Sequence, residues 1–191
     1  MNLRLFIAID IPEPIKREIG ELMNMLNKHD ADMKWIKPDN MHLTLKFLGS
    51  TPETLVTEIR ESLLPIVSSY EPFYITIQST GVFPGEKHPR VLWIGIVDSD
   101  LLKALRDRIE STLSLLGFQR DDKVFSPHLT LGRVRSQRGM ISLVKELSLF
   151  RDKRFGDFLV DQVKLMKSEL KPKGAEYTCL YTIPLGMRDS V

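Results

Sequence analysis

The tetrapeptide His-Leu-Thr-Leu occurs twice, as His42–Leu45 within "MHLTLKFLGS" and as His128–Leu131 within "SPHLTLGRV". Side chains alternate along a strand, so each copy sets an imidazole beside a hydroxyl on one face and two leucines on the other. His42 with Thr44, and His128 with Thr130, then look onto a polar surface while the leucines enter a core. Such a pair suits a phosphate, because the hydroxyl donates to one oxygen and the imidazole gives or takes a proton. A single short motif of this kind recurs by accident. Here, however, two of the chain's four histidines hold the same place in the same tetrapeptide. Facing each other across a cleft, two imidazoles meet the need of a displacement at phosphorus, where one end loses a proton as the other gains one. Ordinary histidine values near pH 6.5 make both protonation states accessible. No carboxylate cluster accompanies either motif, and two imidazoles alone make an incomplete metal site, so no metal or other cofactor is expected.

Both motifs need strands, and the hydrophobic patterning supplies them. "LRLFIAIDI" reads as a buried strand, and Pro12 then opens a helix, "EPIKREIGELMNMLNK", with Ile15, Ile19, Leu22, Met23 and Leu26 on one face. "ADMKWIKPDN" predicts a short strand and a turn, "MHLTLKFLG" a strand stopped by Gly49, and "ETLVTEIRESLLPIVSSY" a helix kinked or closed by Pro65. In the second half, "PFYITIQSTGVFP" and "VLWIGIV" pair around the loop "GEKHPR". The helix "DSDLLKALRDRIESTLSLLG" follows, capped by Asp98 or Ser99, with Leu101, Leu105, Ile109, Leu113 and Leu116 inside. "FSPHLTLGRV" is the next strand and "MISLVKELSLF" a short helix, after which two strands, "FLVDQVKLMKSEL" and "YTCLYTIPL", flank the turn "KPKGAE". The pattern is α+β, a diverged duplication in which antiparallel pairing dominates. No linker composition separates the halves, so residues 1–191 are expected to form a single domain of two interleaved lobes.

At 191 residues, 42% hydrophobic and 27% charged, the chain can bury a core. Its 27 basic and 25 acidic residues nearly cancel, so any phosphate contact must be local rather than drawn by a long-range field. Cys179 is the one cysteine, which excludes an internal disulfide and fits a cytoplasmic location; its apolar run predicts a buried, inert thiol. The N-terminal apolar stretch is broken by Arg4 and Asp10 and reads as a strand, not a signal peptide, and no run is apolar enough to cross a membrane. His29 and His88 are read as solvated.

The ordered segments "LRLFIAIDIP", "MHLTLKFLG", "PRVLWIGI" and "FSPHLTLGRV" resemble the two-histidine phosphoesterase superfamily, and within it the RNA 2′,3′-cyclic phosphodiesterases, long called 2′-5′ RNA ligases. That resemblance implies two α+β lobes around a central cleft with helices outside, and an enzyme that opens a terminal 2′,3′-cyclic phosphate to a 2′-phosphomonoester. Some members join tRNA halves through 2′-5′ linkages, the reverse chemistry. Carried over, the resemblance makes His42 the proton donor, His128 the proton acceptor, and Thr44 and Thr130 the phosphate-binding hydroxyls. The expected partner is RNA with a cyclic phosphate end, tRNA halves or nucleotides; a monomer is expected. The competing reading is a non-catalytic module that holds RNA 3′ ends or nucleotides.

Five residues past each histidine stand Phe47 and Arg133, an aromatic ring and a guanidinium able to hold a base between them. Strict alternation turns both away from the histidines unless the strand twists or bulges. The same alternation puts Lys46 on the histidine face, as a solvated side chain. Trp35 and Trp93 are expected in the core. The basic runs "RVRSQR" and "RDKR" read as solvated loops, with an RNA track as the alternative.

Overall fold

Alternation along the first strand puts Leu3, Leu5, Ile7 and Ile9 in the core, and the rest of the molecule is arranged around that strand. The computed structural model describes residues 1–97, 100–121, 123–172 and 174–186. In chain order they form β1 (Asn2–Asp10), α1 (Glu13–Leu26), β2 (Met33–Trp35), β3 (His42–Pro52) and α2 (Val56–Ser68). There follow β4 (Phe73–Phe83), β5 (Val91–Val97), α3 (Asp100–Leu115), β6 (His128–Val134) and α4 (Met140–Ser148). The last three strands are β7 (Arg154–Val160), β8 (Gln162–Lys171) and β9 (Gly174–Pro184).

These strands make two antiparallel sheets, one ordered β3-β1-β8-β9 and the other β2-β6-β5-β4-β7. The architecture is α+β, and each sheet carries one histidine motif. The halves exchange parts: β2 joins the second sheet, while β8 and β9 return to the first. The helices cross over as well. α2 and α3 pack on each other and on the first sheet, whereas α1 and α4 lie against β7 and β4 of the second. Leu43 and Leu45 of one motif and Leu129 and Leu131 of the other all enter one hydrophobic core.

Four local features depart from the simple pattern. "FLVDQVKLMKSEL" is not one strand: it divides at Asp161 into β7 and β8, which belong to different sheets. The buried positions slip from even (Phe158, Val160) to odd (Val163, Leu165) across that residue. β3 runs past Gly49, whose φ of 69° accommodates a bulge at Leu48 without ending the strand. α2 continues through Pro65 to Ser68, holding Val67 in the core. On α3 the buried stripe runs through Leu102, Leu105, Arg106, Ile109, Glu110 and Leu113, so Leu101 is exposed. The cap expected at Asp98 or Ser99 lies outside the described residues.

Candidate active site

The two histidines stand at the first residue of β3 and of β6 and are held alike. The Nδ1–H of His42 donates to the carbonyl oxygen of Asn40 at 2.9 Å, and that of His128 to the carbonyl of Ser126 at 2.7 Å. A carbonyl can only accept, so the bond assigns the Nδ1 proton in both rings and leaves each Nε2 free to take or give one. Thr44 and Thr130 follow two residues on, half-buried like the histidines, and the intervening leucines are buried. The strands that bear the motifs pack on each other, and the Ile36 amide just past β2 donates to the carbonyl of Leu131 at 2.9 Å.

Each motif strand then bulges at the same place. Ile7 and Ala8 pair with Lys46 and Thr44, leaving Leu45 unpaired; Leu92 and Trp93 pair with Gly132 and Thr130, leaving Leu131 unpaired. An extra residue inverts the alternation beyond it. Phe47 therefore joins the face of His42 and Thr44, and Arg133 the face of His128 and Thr130, both exposed. The residue between is turned inward. In β3 it is Lys46, 5% exposed, whose ammonium meets Glu110 at 2.6 Å and the Gln119 carbonyl at 2.8 Å. Arg106 completes the buried group at 3.2 Å from Glu110. In β6 it is Gly132, where a Cβ would come within 2.7 Å of Met33 and 3.1 Å of the Lys34 carbonyl.

Aromatic rings flank both histidines. The His42 ring lies 4.7 Å from Phe6 and 5.1 Å, edge-on, from Tyr177; the His128 ring lies 5.1 Å from Phe83, which itself touches Trp93 at 5.2 Å. The first sheet curls far enough for the Asn40 side chain to donate to the Ala175 carbonyl of β9 at 2.9 Å, which brings Tyr177 over the His42 ring. Burial pulls the His42 pKa below its ordinary 6.5, opposed by its bond to Asn40 and the charge of Asp10 and reinforced by Lys16. Burial also raises the Tyr177 phenol, with Arg4 and Arg133 acting against it, so charges from both sheets converge on that ring. Among the described residues no three His, Cys, Asp or Glu side chains converge as a metal-binding group.

Residues 11–172 match the family model described as the 2′-5′ RNA ligase superfamily. The chain belongs to that superfamily, the two-histidine phosphoesterases. A superfamily member from Methanothermobacter thermautotrophicus, named RNA 2′,3′-cyclic phosphodiesterase, is 33% identical over 178 residues, 93% of this chain and 96% of its own. One of the same name from Methanocaldococcus jannaschii is 36% identical over 175 residues, 92% of this chain and 96% of its own. Among superfamily structures, E. coli LigT complexed with 3′-AMP superposes with a TM-score of 0.76 at 25% identity, covering 98% of this chain and all of that one.

Within this superfamily member the other residues singled out in the sequence fall differently. Trp35 packs on the core as expected. Trp93 does not; it pairs in register with Thr130 and shares its face, lying over Gly81, where a Cβ would sit 2.3 Å from the indole. Lys46 is neither on the histidine face nor solvated, because the bulge turns it inward. Cys179 is exposed rather than buried, because a bulge at Leu180 on edge strand β9 breaks the alternation between it and Tyr181 and Ile183, which pack on the core. His88 is exposed and His29 half-buried. Phe6, Phe83 and Tyr177 are the site neighbours that sequence reading missed. Phe6 was visible as the even-numbered aromatic of an otherwise odd-facing core strand, whereas Tyr177 depends on the curl of the sheet.

Proposed function

We propose that the cleft hydrolyses the 2′,3′-cyclic phosphate at the end of an RNA or nucleotide, leaving a 2′-phosphomonoester, by paired imidazole catalysis without a metal. The observation that carries this reading is the shared tautomer: each ring has Nδ1–H tied to a backbone carbonyl, which leaves Nε2 to exchange a proton, and a threonine follows two residues on along the same strand face. His128 takes a proton from water as its oxygen attacks phosphorus; the bond from phosphorus to the 3′ oxygen breaks, and His42 protonates that oxygen. Thr44 and Thr130 donate to the non-bridging oxygens, and Phe47 and Arg133 hold the terminal base. Burial keeps unliganded His42 largely neutral at pH 7, so the bound phosphate anion itself favours the protonated acid. An RNA 5′-hydroxyl in the place of water would form a 2′-5′ linkage along the same line, the reaction named in the superfamily's description.

The test is turnover of a 2′,3′-cyclic nucleotide and of an RNA with the same end, in EDTA, with both phosphate position and ligated product quantified with and without a 5′-hydroxyl partner. Product carrying a 2′-phosphate is expected. Saturable binding with no product would leave only a binding module, and loss of turnover in EDTA would overturn the metal-free mechanism.

A further inference from the structure

A ribose that presents its cyclic phosphate to the histidines must send both its base and its 5′ carbon the other way, since these project from the opposite face of the sugar ring. The preceding phosphodiesters of an RNA therefore leave the cleft at its rim, and the charges on the rim decide where. The cations of the "RDKR" run are already neutralised. Arg151 meets Glu86 at 2.9 Å, Lys153 meets Glu18 at 2.7 Å, and Arg154 is paired with Asp157, so the "RDKR" run offers no cationic surplus. A cavity of about 420 Å³ beside Trp93 is rimmed by Arg151 together with Glu86 and Asp152, and its charges do not favour a phosphate either.

The other edge of the second sheet, β2 beside β6, differs. Arg4 lies on the same face of β1 as Phe6, the neighbour of the His42 ring, and is exposed. Lys34 on β2 is directly across from Arg133 in register and is exposed on the same face. Among the described residues none of Arg4, Lys34 and Arg133 has an acidic partner. Register sets Arg4 on the face of Tyr177, because Leu5 pairs with Lys167 and the next residue, Ser168, pairs with Tyr177; Arg4 and Arg133 both act against the rise of that phenol.

We propose that Arg4 and Lys34 form a subsite for the phosphodiesters that precede the cyclic end, so that RNA leaves the cleft past Tyr177 between the two sheets. The subsite rests on the reading of the cleft as the cyclic-phosphate site and adds what distinguishes an RNA end from a free nucleotide. The contacts are electrostatic and independent of sequence, and each releases counterions when it forms.

The experiment compares a 2′,3′-cyclic mononucleotide with an oligoribonucleotide bearing the same end, across a salt series, for wild type, Arg4→Gln, Lys34→Gln and the double variant. The oligoribonucleotide should lose kcat/KM in both single variants and more in the double, and the slope of log(kcat/KM) against log salt should flatten by about 0.7 per lost contact. The mononucleotide, which has no preceding phosphodiester, should keep its wild-type kcat/KM. Equal losses on both substrates, no loss on either, or a salt slope carried instead by Arg151→Gln and Lys153→Gln would each overturn the subsite. Wild-type protein that turned over neither substrate would overturn the functional reading first, and the subsite with it.

Discussion

The two motif strands agree in how each holds its imidazole and differ in what stands behind it. Both fix the same imidazole tautomer, both set a threonine beside it, and both bulge three residues past the histidine to bring the fifth residue round. Behind the bulge, β3 buries Lys46 against Glu110 and Arg106, whereas β6 has Gly132 pressed on β2. Ahead of it, His42 is enclosed by Phe6 and Tyr177 while His128 meets Phe83. Two like strands can thus keep the same imidazole tautomer and neighbouring threonine while the surroundings separate into different electrostatic settings.

The largest effect should come from breaking that equivalence. His42→Ala and His128→Ala should each lower kcat by about a hundredfold to ten-thousandfold with little change in melting temperature. A substrate with sulfur in place of the 3′ oxygen separates the roles, because a thiolate departs without a proton. It should restore turnover to His42→Ala and not to His128→Ala; rescue of His128→Ala instead would exchange the assignments.

The next effect concerns stability and belongs to the β3 copy alone. Glu110→Ala leaves Lys46 and Arg106 buried without their carboxylate and should cost about 3–5 kcal/mol in denaturant unfolding. Replacing Lys46, Arg106 and Glu110 together by apolar residues of similar volume should recover most of the loss, as expected where the penalty is an unpaired buried charge.

The paired motifs, the α+β class and the leucines that anchor each strand were legible in residue types and periodicity. The bulges were not, because Leu45 and Leu131 read as ordinary core positions whether or not they are paired. Without them Phe47 and Arg133 point the wrong way and Lys46 points at the site. The same limit hid Trp93: an apolar strand context is what a cleft wall and a core share, and only the register with Thr130 tells them apart. Asp161 was legible in principle, since the buried positions change parity there, but a continuous β-rich run masks a turn of one residue.

A smaller catalytic effect should follow from the hydroxyls. Thr44→Val and Thr130→Val keep shape and remove one charge-assisted hydrogen bond each, worth about 1.5–3 kcal/mol, so about a ten- to hundredfold loss in kcat/KM is expected for either. If one variant alone lost activity, the phosphate would be held from one sheet only, and the likeness of the two motifs would not extend to binding.

The finest difference between the copies is the setting of His42. Its folded value is lowered by burial, so the unliganded ring should titrate below 6.5 when followed by NMR. Tyr177→Ala removes part of the wall that excludes water and should raise that value toward 6.5, while the His128 resonance, whose ring meets Phe83, serves as the internal control. The sign for ligands follows by linkage. An anion beside the ring favours its cation, so phosphate should raise the His42 value, and proton uptake on binding means that phosphate affinity should strengthen as pH falls through that raised value. Phosphate binding that weakened with acidification over that range would place the anion away from His42, and the acid would then have to be charged by something other than the substrate.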